Sequence, residues 1–156
     1  MKGDERVVKK LGELLRDELT AFNQYMVHSE MCANWGYDRL YQAVQNRARQ
    51  EMHHAEALIA RILFLEGAPT VSRLNQVCMG ADVPKQLQLD REAELQTNSM
   101  YNEAINLSDE AHDAATRELL ESIVMEEDEH VDWLEEQLDQ IVQMGVPLYL
   151  SLEYRA

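Results

Sequence analysis

Cysteine is scarce in this chain. The two thiols, Cys32 and Cys78, form neither a Cys-x-x-Cys pair nor a zinc-ligand spacing, and they fit a reducing compartment. Basic residues are also short: 14 Lys and Arg stand against 29 Asp and Glu, a formal charge of −15. A nucleic-acid partner needs a basic face, so that class is disfavoured, whereas an acidic field concentrates cations. Solubility alone accounts for most surface acids. Long hydrophobic runs are missing as well. A stretch such as Ile62 to Leu65 is far too short to span a membrane, and Met1-Lys2-Gly3-Asp4-Glu5-Arg6 leads into an amphipathic segment without an apolar leader core. The expectation is a cytoplasmic protein. A length of 156 residues with 46% hydrophobic content suffices for one domain, 1–156, around a buried core.

What is abundant is helical periodicity. Leu11, Leu15, Glu18, Phe22, Tyr25, Ser29 and Cys32 step by four and three, the inward stripe of a first long helix. Tyr41, Val44, Ala48, Glu51, Ala55, Leu58, Ile62 and Leu65 mark a second. A third, roughly 83–111, places Leu87, Glu94, Asn98, Tyr101 and Ile105 on one face, and Leu120, Val124, Glu127, Val131, Leu134, Leu138 and Ile141 mark a fourth. Asn34-Trp35-Gly36-Tyr37 is a short turn, so the first two helices are antiparallel. From Gly67 to Pro84 no helical period survives. About 17 residues at ~3.3 Å each cross the ~40 Å length of a helix of about 27 residues, so helices two and three run parallel through a long crossover. Helices three and four join near Asp109 to Asp113. After Gly145-Val146-Pro147, the tail Leu148 to Tyr154 suits one short extra helix. The predicted fold is an all-α four-helix bundle with a long crossover and a short fifth helix.

One constellation is written twice on these stripes, 76 positions apart. Glu18 precedes Glu51 by 33 residues, and Glu94 precedes Glu127 by 33. Each later glutamate opens a Glu-x-x-His run, Glu51 to His54 and Glu127 to His130. Tyr25 follows Glu18 by seven residues and Tyr101 follows Glu94 by seven. Residues three apart on a helix point into the same cavity. Isolated buried carboxylates cost several kcal/mol each unless paired or metal-bound. No Lys or Arg falls on the stripes as drawn, so four glutamates in one core call for two divalent cations. The central glutamates Glu51 and Glu127 suit bridging positions, His54 and His130 cap one ion each, and Glu18 and Glu94 are terminal ligands. This is the recurrent pattern of di-iron carboxylate bundles, and mixed nitrogen and oxygen ligation suits iron or manganese, with zinc also able to bind. Tyr25 and Tyr101, two turns from Glu18 and Glu94, are placed to hydrogen-bond the terminal glutamates across the bundle. A lone Glu-x-x-His on a charged helix is more often chance, and a lone stripe tyrosine more often core packing. The duplication reverses both preferences. His28, His53 and His112 lack such partners and read as surface or interface residues, and Glu126, Asp128 and Glu129 as a solvated acidic face.

Over nearly its whole length the chain resembles the bacterioferritins. The carrying residues are Met1-Lys2-Gly3-Asp4, Glu18-Leu19-Thr20-Ala21 with Asn23-Gln24-Tyr25, Asn34-Trp35-Gly36, Arg61 to Gly67, and Glu126 to His130 with Asp132-Trp133-Leu134-Glu135. The resemblance implies a hollow shell of 24 subunits that oxidises Fe(II) with O2 or H2O2 at a ferroxidase centre and stores Fe(III) mineral. It also implies haem b shared across a two-fold dimer, with one methionine ligand from each subunit, and a ferredoxin-type reductant for iron release. The matching methionine is Met52, which helical phase sets about 130° from the midpoint of Glu51 and His54, facing out of the bundle. Leu19, Asn23 and Met26 fit that pattern. Gln45 and Arg49 share the outward face where the family is more apolar; Arg49 either pairs a propionate or weakens the pocket. Asn46 and Gln50 stand where some members carry His and Asp for an extra inner-surface iron, and Leu58 where some carry a tyrosine near Trp133.

Other classes remain. A rubrerythrin-like peroxidase or manganese catalase uses similar carboxylate–histidine sites, but the chain has no Cys-x-x-Cys rubredoxin segment, and its length and resemblance disfavour a catalase. A DNA-protecting mini-ferritin builds its site between subunits, whereas this chain carries all six ligands and no basic tail. Met52, Met31 and Trp35 are expected together on an outward apolar face that assembly covers. Leu148, Leu150 and Leu152 in the tail are expected to seal a symmetry axis.

Overall fold

The computed structural model describes residues 1–154. In chain order it forms α1 (Glu5–Asn34), α2 (Asp38–Phe64), α3 (Val83–Glu110), α4 (Ala114–Met144) and a short α5 (Val146–Ser151), with no strand among the described residues. Three of the long helices start at an aspartate. Asp4 accepts from the Arg6 and Val7 amides, Asp82 from Lys85 and Asp113 from Thr116, each satisfying donors that a first turn leaves open. Three helices end in the same paired bonds back to the last turn. Gly36, Glu66 and His112 take left-handed φ of 85°, 62° and 56° just past α1, α2 and α3. The next amide then reaches the carbonyl five residues back: Tyr37 to Cys32, Gly67 to Ile62, Asp113 to Ser108.

Cross-bundle bonds establish the directions. Along α1 the crossover is pinned in order, Asn75 N–H to Thr20 Oγ1, Cys78 N–H to Gln24 Oε1 and Gly80 N–H to His28 Nε2. It therefore climbs the bundle from the α1 N-terminus, where Gly3 N–H meets the Leu65 carbonyl, to the opposite end. From there α3 descends antiparallel to α1, with Gln86 beside Cys32, Tyr101 against Glu18 and Glu103 against Lys10. Hence α2 and α3 run parallel. Arg61 on Asp113 and Arg47 on Glu127 tie α2 antiparallel to α4.

The core divides around the middle of the bundle. One buried cluster, including Leu11, Leu15, Leu58, Ile62, Tyr101 and Leu120, fills one end; another, with Cys32, Leu40, Leu87, Leu134 and Tyr149, fills the other. Several expectations change here. The inward face of α3 carries Asp90, Thr97, Ala104 and Ser108 besides Leu87, Glu94 and Tyr101. Those polar members obscured its period. His28 is fully buried, with Nδ1 2.9 Å from Asp90 Oδ1 while Nε2 accepts from Gly80; it anchors the crossover. His53 and His112 are exposed, as read. Met31 and Trp35 do not join Met52 on a common outward face. The Met31 sulfur accepts from Gln86, and Trp35 packs on the second cluster. The fifth helix begins at Val146, because Pro147 is tolerated in a first turn, and it ends at Ser151. No helix among the described residues is long and apolar enough to cross a membrane.

Candidate metal centre

Between the two apolar clusters, all six residues of the duplicated constellation meet. Glu18, Glu51, His54 and Glu127 each offer an atom within 4.8 Å of the others, and Glu51, Glu94 and His130 form a second such group. All six are buried, none more than 8% exposed. They lie on the buried faces of α1 (Glu18), α2 (Glu51, His54), α3 (Glu94) and α4 (Glu127, His130), so helix packing alone brings them together without any special loop.

Local contacts aim the ligand atoms. His54 Nδ1 faces the cluster, 3.0 Å from Glu127 Oε1 and 3.5 Å from Glu18 Oε2, while Nε2 is held 2.8 Å from Glu126 Oε2. His130 Nδ1 lies 3.0 Å from Glu94 Oε1. Its ring stacks on Trp133, centroids 6.0 Å apart, and meets the Tyr25 ring edge-on at 5.4 Å. Tyr101 donates to Glu18 Oε1 at 2.5 Å, and Tyr25 donates to Glu94 Oε1. Each tyrosine thus serves the glutamate of the other repeat.

Five donor atoms at the centre make no well-directed hydrogen bond, Glu18 Oε2, Glu51 Oε1, His54 Nδ1, Glu94 Oε2 and Glu127 Oε1, although Arg47 Nε stands 2.8 Å from Glu51 Oε1 and His54 Nδ1 3.0 Å from Glu127 Oε1. Buried polar groups without partners are rare and costly. Five of them converging on one volume, all hard oxygen or imidazole donors, fit a pair of divalent cations.

Burial is the largest influence on every carboxyl here. It raises Glu18, helped by the charge of Glu127, and it raises Glu51 and Glu127 well above the ordinary range, helped by neighbouring carboxylates. Glu94 goes the other way: burial opposes ionisation, but Glu127, His130 and Arg47 close by hold it below the usual range. Burial alone would depress His54, yet Glu127, Glu18 and Glu51 outweigh it and push the imidazole up. His130 is lowered, mainly by burial. Burial and facing carboxylates raise both tyrosines well above 10, so they remain donors.

Two members of the site escape the stripe argument. Arg47, 4% exposed, reaches Glu127, Glu51 and Glu94, so the core is not free of basic residues as the stripes suggested. The signal was there: Arg47 precedes Glu51 by four, one turn on the same face. Glu126, read as part of a solvated face, is half-exposed yet turns one oxygen onto His54. Asp128 and Glu129 are exposed. Among the departures, Gln50 Oε1 accepts from Arg47 at 3.1 Å, and Asn46 is exposed.

A bundle of this topology with a central carboxylate–histidine cluster is a ferritin-like architecture, and the ferritin-like domain family matches residues 8–144. Within that class the chain is 40% identical to a bacterioferritin of Mycolicibacterium paratuberculosis over 149 residues, 96% of this chain and 94% of the relative. It is 39% identical to a bacterioferritin of Streptomyces coelicolor over 151 residues, covering 97% and 90%. A bacterial ferritin of Synechocystis is 38% identical over 152 residues, 97% of each chain. The chain belongs to the bacterioferritin family.

Proposed function

We propose that this protein stores iron, oxidising Fe(II) at an intra-subunit di-iron centre and holding the Fe(III) product inside a closed shell of identical subunits. The observation that carries the reading is the convergence of four buried carboxylates and two imidazoles, five of whose donor atoms make no well-directed hydrogen bond. In this reading Glu51 and Glu127 would be shared by both ions, Glu18 with His54 and Glu94 with His130 would complete the two positions, and Tyr101 and Tyr25 hold the Glu18 and Glu94 carboxylates in place. Each Fe(II) gives up one electron. Two ions side by side supply the pair that takes O2 to H2O2, or H2O2 to water, with protons from solvent. The whole chain, 1–156, works as one unit in the cytoplasm.

The finer features rest on family membership and on surface residues. Met52 stands half-buried about 100° around α2 from Glu51, and Met26, at the α1 position matching the family pattern, is 42% exposed. A thioether left at a surface in this way fits a haem b clamped between two-fold related subunits, where it would supply a one-electron route for a ferredoxin-type reductant. Twenty-four subunits is the assembly this reading expects.

Glu51→Ala and Glu127→Ala should abolish rapid Fe(II) oxidation, followed by absorbance on mixing with O2, while sedimentation still shows assembled particles. Wild-type rates in these variants would refute the site. A stable monomer or isolated dimer of the unmodified protein would instead leave a di-metal oxidase without storage. Met52→Leu should remove bound haem, seen as loss of the Soret band.

A further inference from the structure

The duplicated pattern makes the two metal positions equal in ligands, but one residue makes them unequal. Four residues before Glu51 stands Arg47, and four before Glu127 stands Ile123. Both are buried, and only the arginine carries charge into the cluster. Its contacts fall on one side. Nη2 lies 2.6 Å from Glu127 Oε2 and 3.7 Å from Glu94 Oε2, and Nε lies 2.8 Å from Glu51 Oε1. The other oxygens of the two central glutamates face the opposite way. Glu127 Oε1 is 3.0 Å and Glu51 Oε2 3.7 Å from His54 Nδ1, and Glu18 Oε2 joins them at 3.5 Å. The guanidinium thus takes one oxygen from each central carboxylate together with Glu94, which is the half completed by His130. The half of Glu18 and His54 keeps its own set of donors.

Arg47 also has somewhere to go. Nη1 is anchored outside the cluster, on Gln50 Oε1 at 3.1 Å and the Glu126 carbonyl at 3.3 Å. These residues line a cavity of about 190 Å³ between α2 and α4, with Asn46, Glu129 and Trp133. A guanidinium with its charge delocalised over a planar fork suits paired carboxylate oxygens, and its flexible stem lets it swing. A divalent ion drawing on those oxygens must compete with the guanidinium for the same negative charge.

We propose that Arg47 is a built-in counter-cation that makes metal loading stepwise. The first divalent ion binds at Glu18, His54 and the facing oxygens of Glu51 and Glu127 with the guanidinium in place. The second binds at Glu94 and His130 only as Arg47 withdraws toward the α2–α4 cavity. The inference rests on the di-metal reading above and assigns it an order. Because oxidation needs both ions, the centre fires only when Fe(II) is abundant enough to displace the arginine.

The test is titration of the metal-free, full-length protein with Co(II), which does not turn over, by calorimetry and by visible Co(II) absorption. Unmodified protein should bind two ions per subunit in separate steps. In Arg47→Gln the second dissociation constant should fall relative to the first by roughly tenfold, about 1.4 kcal/mol, and the steps should merge. Arg47→Lys keeps the charge and should keep two steps. Arg47→Met, of similar length and uncharged, replaces the glutamine variant if circular dichroism shows that variant unfolded. A role confined to holding α2 against α4 would lower the melting temperature and leave the ratio of the two constants unchanged, which overturns the proposal. Two ions of equal affinity in the unmodified protein also overturn it, while sparing the di-metal reading. No bound Co(II) at all removes both.

Discussion

Tyr25 and Tyr101 show how single side chains hold the centre. Each hydroxyl is buried and donates to a glutamate from the opposite half of the repeat. Glu94 Oε1 keeps His130 if Tyr25 is removed, but removing Tyr101 takes away the hydroxyl that Glu18 Oε1 accepts from, a loss of ~1–3 kcal/mol for a buried polar group. Tyr101→Phe should therefore lower the melting temperature of the metal-free protein and slow Fe(II) oxidation by freeing Glu18, with calorimetry and stopped-flow absorbance as the readouts. Protonation makes a second expectation. Glu18, Glu51 and Glu127 are raised above the ordinary value of 4.5, chiefly by burial, and His54 is raised above 6.5 by its carboxylate neighbours. The folded, metal-free chain then binds more protons than the unfolded chain once pH exceeds 4.5. Stability contributed this way is complete below that value and is lost as pH rises through the folded-state values. His130, lowered from 6.5 chiefly by burial, opposes the trend between pH 5.5 and 8, whereas Glu94, lowered from 4.5, opposes it only at more acid pH. The metal-free protein should melt at lower temperature at pH 8 than at pH 5.5, and divalent ions should remove the difference. Equal melting temperatures without metal would contradict it.

At the scale of elements, the caps and the crossover decide where the helices begin and stop. Gly80 has no room for a side chain, since a Cβ there would lie 2.4 Å from the Gln86 nitrogen and 2.8 Å from its Cα. Its amide also holds His28, and its carbonyl accepts from Gln86 Nε2. Gly80→Ala must displace the first turn of α3 or the end of the crossover. The expected cost is ~1–3 kcal/mol, measured by urea denaturation, with faster proteolysis within 67–82. His112 closes α3 in a left-handed conformation, φ 56°, that costs a side-chain-bearing residue ~1–2 kcal/mol. Glycine there relieves that strain but gains freedom when unfolded, so His112→Gly should stabilise by up to ~1 kcal/mol. The direction of the crossover was legible from its length. Its anchoring on α1 was not, because Thr20, Gln24 and His28 are polar and resemble surface positions until Asn75, Cys78 and Gly80 are laid against them.

At the scale of the whole molecule, a charge of −15 and a short fifth helix are the features on which assembly and uptake are expected to depend. Tyr149 is buried and donates to Gln137, which fastens α5 to α4. Leu148 and Leu152 are left 55% and 49% exposed, and Val146 37%. Apolar side chains held outward on an anchored helix suit burial against symmetry-related copies. Replacing Leu148 and Leu152 together by Asp should shift sedimentation from large particles toward dimers, without loss of helical circular dichroism. The acidic field should also draw Fe(II) inward. Raising ionic strength from ~0.01 to ~0.15 M shortens the screening length from about 30 to 8 Å, so initial uptake at low Fe(II) should slow. A rate independent of salt would mean that the field plays no part.

The four helices, their order, the parallel run of α2 and α3, and the six residues at the centre were all readable from the chain. They depend on local periodicity and on a repeat, and a straight helix carries such spacing into space unchanged. Tertiary structure alone decided what lies between those positions. Arg47 is part of the cluster because α4 brings Glu127 within 2.6 Å of it. Glu126 backs His54 because α2 and α4 face each other at that level, and His28 is buried because the crossover folds over it. The sequence does record Arg47 one turn before Glu51 on the same face, but its reach to Glu127, like the partners of Glu126 and His28, lies with residues distant in the chain, and no local period records that distance.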